Sequence, residues 1–62
     1  MGKQKIIPNY RSVTEDGDTW DFYAVSDAQA WYLALNNNDF DFISELFEID
    51  ADGNELRQVF TG

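Results

Sequence analysis

Hydrophobic and polar positions alternate in two parts of this chain and follow a helical spacing between them. Trp20, Phe22 and Ala24 alternate with Thr19, Asp21 and Tyr23, the period of two that marks a half-buried strand with Trp20 and Phe22 turned inward. Two Asp-Gly steps, in Glu15-Asp16-Gly17-Asp18 and in Asp50-Ala51-Asp52-Gly53-Asn54, lie between apolar-bearing runs. Asp and Gly tolerate positive φ, so each step predicts a β-hairpin turn. The strands expected are 5–14 with 19–25 and 43–49 with 55–60. Pro8 donates no ladder hydrogen bond, so the first strand is expected to be an edge or to begin after Pro8. In the second hairpin Phe47 and Ile49 alternate with Glu48 and Asp50, which sets Leu46 on the acidic face unless a bulge intervenes.

Between the hairpins, Ser26-Asp27-Ala28-Gln29 fits a capping box in which Ser26 accepts from the backbone of Gln29 and Gln29 reaches back. A helix of about three turns follows, ending at Asn36-Asn37-Asn38, whose side chains suit left-handed backbone. Ala28, Trp31 and Leu35 share one side of it. A rival reading continues helix through 41–47, where Phe42, Ile43 and Leu46 also keep a helical period. The expected fold is α+β: a small ββαββ domain over 1–62, with a four-stranded antiparallel sheet, one helix packed on one face, and 1–4 and 61–62 frayed. The uncovered sheet face would carry Tyr23, Val25 and Leu46 or Val59, an apolar surface for a partner or a second copy.

Size makes this fold marginal. A 62-residue chain buries only about 60% of the surface its unfolded form exposes, and without Cys or His it has no disulfide and no usual metal staple. Aromatic residues, 16% of the chain, must supply the core. No apolar run reaches the length of a membrane span and no signal-peptide pattern is present, which reads as cytoplasmic. Ile6 stands where a myristoylation signal needs Ser or Thr.

Charge changes the picture more than size does. The net charge is −8, and all twelve acidic residues lie between Ser12 and Leu56, a stretch with no Lys or Arg. Such a polyanion repels nucleic acid and anionic membranes, so neither is expected as a direct ligand. Glu48, Asp50, Asp52 and Gly53 match the front of an EF-hand loop, but Val59 stands where the bidentate Glu is required and Glu55 falls at a non-ligand position. A hairpin turn accounts for these residues better, and no metal or cofactor is expected. Carboxylate pairs such as Asp39 with Asp41 could do acid and base work, yet no nucleophile with an activating base accompanies them. The chain reads as a non-enzymatic binding protein.

Its expected partner is a basic protein, in particular one that binds nucleic acid, with Glu15, Asp16, Asp18, Asp21, Glu48, Asp50, Asp52 and Glu55 as the contacts. Carboxylates two apart on a strand sit about 6.6–6.8 Å from each other, whereas one DNA strand carries a charge about every 3.4 Å. Two strands or a homodimer would be needed to imitate a duplex. At the level of composition alone, the chain is similar to small phage and mobile-element proteins that block restriction, CRISPR or repair enzymes. The alternative is an adaptor or self-associating module that docks through Tyr23, Val25 and Leu46.

Overall fold

A computed structural model describes residues 6–37 and 43–61. The elements run β1 (Tyr10–Thr14), β2 (Thr19–Phe22), α1 (Asp27–Asn37), β3 (Ile43–Ile49) and β4 (Glu55–Thr61). The strands form one antiparallel sheet in the order β2-β1-β3-β4, with α1 packed against β3. This is the ββαββ domain the pattern predicts. Residues 43–47 are strand, not a continuation of the helix; Asp39, Asp41 and Phe42 lie outside the described residues.

Both hairpins turn in the same way. Gly17 N–H donates to Thr14 C=O and Thr14 N–H to Asp18 C=O; Gly53 N–H donates to Asp50 C=O and Asp50 N–H to Asn54 C=O. Each loop therefore has three residues and closes with glycine in the left-handed region, at φ 89° for Gly17 and 87° for Gly53, a conformation costly for any side chain with a Cβ. Thr14 adds its hydroxyl to Asp18 N–H in the first turn. Asp50 does more in the second, accepting from Asp52 N–H and Asn54 N–H through one carboxylate oxygen and from the Asn54 amide through the other.

β1 begins after Pro8, as one of the two expectations had it, but it lies inside the sheet and not at an edge. Its lead-in is held by Asn9. The Asn9 amide donates to Ala24 C=O and accepts from Ala24 N–H, so a side chain continues the ladder past the last residue of β2. That leaves Tyr23 and Val25 beyond the strand, in the connection to α1. Both are exposed and follow the strand rather than belonging to it.

Register sorts the side chains onto two faces. Tyr10 pairs with Phe22 and Glu48, and Ser12 with Trp20 and Leu46, so these residues share the helix side. The expected inward pair Trp20 and Phe22 is there, stacked at 4.4 Å between ring centroids. Leu46, expected on the open face, is instead wholly buried beneath the helix. Leu46 keeps its alternation with Phe47 and shares a face with Glu48, as the pattern has it, but that is the face the helix covers. Between Ile43 and Glu45 the ladder with β1 skips Ser44, a bulge that brings Ile43 to the same face as Leu46 although they are three apart. Phe47 and Ile49 face the opposite way from Leu46, with Ile49 lining a recess with Pro8 and the β3–β4 turn.

The helix is capped by Ser26, whose hydroxyl accepts from Gln29 N–H at 3.1 Å. The reach-back of Gln29 lands one residue early, on Val25 N–H. At the far end the Asn36 amide donates to Tyr32 C=O. The buried stripe is Ala30 and Ala34, not Ala28, which is exposed; alanines four apart let the helix axis approach the sheet closely, and Trp31, Leu33 and Leu35 pack around them at the margins.

Candidate functional site

Arg11 and Arg57 are the cations among the described residues, and each is held between carboxylates. On the open face, Arg11 makes a two-pronged pair with Asp21, Nε to Oδ1 at 2.7 Å and Nη2 to Oδ2 at 3.0 Å, and lies 3.6 Å from Glu55. On the helix face, Arg57 reaches Asp27 at 2.9 Å and Glu48 at 3.1 Å. Tyr10 completes that second cluster by donating its hydroxyl to Asp27 at 2.6 Å. One strand or helix start contributes each member: β1, β3, β4 and the first turn of α1.

The titration behaviour follows these contacts. The hydrogen bond from Arg11 holds the Asp21 carboxyl below its usual range and raises the guanidinium in turn. Hydrogen bonds from Arg57, then from Tyr10, depress Asp27, and Arg57 is raised by Asp27 and Glu48. Asp50 is depressed by the backbone of Asn54 first, then by its other turn partners. Its two oxygens are occupied by the turn itself, and among the described residues no group of carboxylates is placed to hold a metal ion.

The eight acidic contacts expected from the sequence are therefore not one surface. Glu15, Asp16 and Asp18 crowd the β1–β2 turn. Asp50 and Asp52 occupy the β3–β4 turn, and because β3 runs antiparallel to β1 the two turns stand at opposite ends of the sheet, about 20 Å apart along a seven-residue strand. Asp21 and Glu55 are tied to Arg11, and Glu48 faces the helix side with Arg57. Among the described residues no ion pair reaches Glu15, Asp16 or Asp18, and Glu45, opposite Val13 near the same end, has Gln58 as its hydrogen-bond partner at 3.4 Å. Among the described residues, the strongest uncompensated negative charge thus belongs to the β1–β2 end.

Of the alternative set, Leu46 is buried under the helix and not on the open face, while Tyr23 is 52% and Val25 71% exposed. Sequence reasoning missed the roles of Asp27, Glu45 and Arg57. Glu45 carried a usable signal, since it lies in the same acidic run; the convergence of Tyr10, Asp27, Glu48 and Arg57 carried none, because it depends on strand order and bulges.

Among the described residues no helix is long and apolar enough to cross a membrane. Comparison with family models, with curated proteins and with solved structures finds no match for this chain.

Proposed function

We propose that this chain is a non-enzymatic, cytoplasmic binding protein that occupies the basic surface with which another protein binds nucleic acid, in the manner of a phage or mobile-element inhibitor of restriction or CRISPR enzymes. The observation that carries this reading is the internal neutralisation of Arg11 and Arg57 beside the uncompensated cluster of Glu15, Asp16, Asp18 and Glu45. A basic groove approaching the β1–β2 end meets carboxylates only. Attraction of this kind steers encounter and is screened beyond about 8 Å at physiological salt. Asp50 and Asp52 at the other end of the sheet act as a second, weaker anionic site, since Asp50 is already engaged by its own turn.

The adaptor reading has less support, because Leu46 is buried and the open face, which carries Phe47, is centred on the Arg11–Asp21 ion pair. The experiment is capture on the immobilised protein from a lysate of the source organism, eluted by a salt gradient and repeated with Asp16→Lys, Asp18→Lys. A basic nucleic-acid-binding protein, released by salt and lost with the double variant, is the expected result. Partners that are neutral or acidic and indifferent to salt would remove the proposal.

A further inference from the structure

Among the described residues, one side of this polyanion is nearly free of unpaired charge. From Ala28 to Asn37 the helix contains no Asp, Glu, Lys or Arg, and from Leu56 to Thr61 β4 contains only Arg57, already bound by Asp27 and Glu48. The solvent stripe of a surface helix ordinarily carries charged residues. Here it presents Ala28, Gln29, Tyr32 and Asn36, with Tyr32 65% exposed. Beside it a groove of about 350 Å³ opens between α1 and β4, lined by Asp27, Ala28, Trp31, Leu46, Val59 and Phe60. The Trp31 and Phe60 rings form its aromatic wall, 4.4 Å between centroids. Leu56, on the same outer strand, is 59% exposed. Few charges and many aromatics are what distinguish the core of a protein–protein contact from other surface.

We infer that two copies of this chain meet through the α1–β4 side. Charge decides the occupant. Among the described residues a basic partner finds two carboxylates there, Asp27 and Glu48, both held by Arg57, with Tyr10 also donating to Asp27; it is drawn to the turns instead. A second copy brings the same neutral patch, so two chains of net charge −8 join where, among the described residues, neither presents an acidic side chain that lacks a cation. A two-fold contact must be self-complementary, and this side supplies a projection in Tyr32 and a recess in the groove. The contact is made by side chains, not by edge-to-edge strand pairing, because β4 slips register at Leu56 and again at Val59, and such bulges blunt an edge.

Sedimentation velocity on the full chain over a range of protein concentrations tests this. The expected result is a monomer–dimer equilibrium whose Kd falls at least about threefold as NaCl rises from about 20 to about 200 mM, because screening relieves the repulsion between the two net charges. Tyr32→Glu and Leu56→Glu, each placing a charge at an exposed position, should each raise Kd by about tenfold or more, as loss of a contact worth about 1.4 kcal/mol does, with circular dichroism and melting unchanged. Asp16→Asn should leave dimerisation intact. A chain that stays monomeric at every concentration and salt overturns the inference, and so does a dimer indifferent to Tyr32→Glu or one that salt dissociates.

Discussion

Replacing Tyr10 with Phe removes one oxygen and leaves the ring packed at 6.1 Å from Phe22. That oxygen donates to Asp27 at 2.6 Å, and a hydrogen bond to a charged group contributes about 1.5–3 kcal/mol. The variant should lose about that much at neutral pH, a large part of the roughly 3–9 kcal/mol expected for a domain of this length. The pH dependence provides the sharper test. Burial, then the hydrogen bond to Asp27, push the Tyr10 pKa up to about 12 from 10.0, and the residue is only 5% exposed. Because the folded value lies above the unfolded one, the stabilisation is complete below pH 10 and is lost as pH rises through the folded value. At about 1.36 kcal/mol per pKa unit, the full loss is about 2.7 kcal/mol. Urea titrations followed by tryptophan fluorescence, at intervals from about pH 8 to about pH 12, give both curves. The parent should fall toward the variant and nearly meet it at the alkaline end. Parallel curves over that interval would show that the Tyr10 hydroxyl is not held as described.

Leu46→Ala, at a wholly buried position, should cost about 2–5 kcal/mol and leave the chain largely unfolded; a loss under about 1 kcal/mol by chemical denaturation would return Leu46 to the surface. Ser12→Ala should be neutral or stabilising in the same measurement, because the Ser12 hydroxyl is buried with no hydrogen-bond partner and desolvating it is a cost with no return. Asp21, Asp27 and Asp50 are depressed below 3.8, so the stability they contribute is present above that value and fades as pH falls through their folded values; Arg11→Gln should flatten the acid limb measured by circular dichroism. Sodium chloride should raise the melting temperature by screening acidic self-repulsion, and calcium at matched ionic strength should add little, so a shift at micromolar calcium would contradict the occupied Asp50 carboxylate.

Where local chemistry decides structure, this fold was readable in advance. Asp-Gly steps demanded left-handed glycine at Gly17 and Gly53, Ser26 supplied a cap that few other residues make, and Trp20 with Phe22 set the inward face of β2. Each depends on residues within four positions of one another. What escaped is non-local. The bulge at Ser44 cannot be read from alternation, since it is the device that breaks alternation, and it brings Ile43 to the face of Leu46; Leu46 itself is in the core because the helix covers the face it shares with Glu48 and not the face of Phe47 and Ile49. Strand order escaped too: β1 is central because β3 returns beside it and not beside β2, which separates the two acidic turns by the length of the sheet. The candidate site was therefore legible as a composition and not as a surface. Its members were identifiable by charge, but which were free depended on where Arg11 and Arg57 reached.

Charge also sets the conditions under which the two proposed interactions can coexist. Two bodies of net charge −8 with centres about 25 Å apart repel by roughly 10 kcal/mol in unscreened water. A Debye length of about 30 Å leaves roughly 5 kcal/mol of that, and one of about 8 Å leaves roughly half a kcal/mol. A dimer through the neutral α1–β4 side is thus weakened at low salt and nearly unopposed at physiological salt. A basic partner on the β1–β2 end removes the same repulsion by neutralisation. Since that end and the α1–β4 groove share no residue, docking and dimerisation do not compete for surface, and each favours the other wherever the ionic strength is low enough for the repulsion to matter.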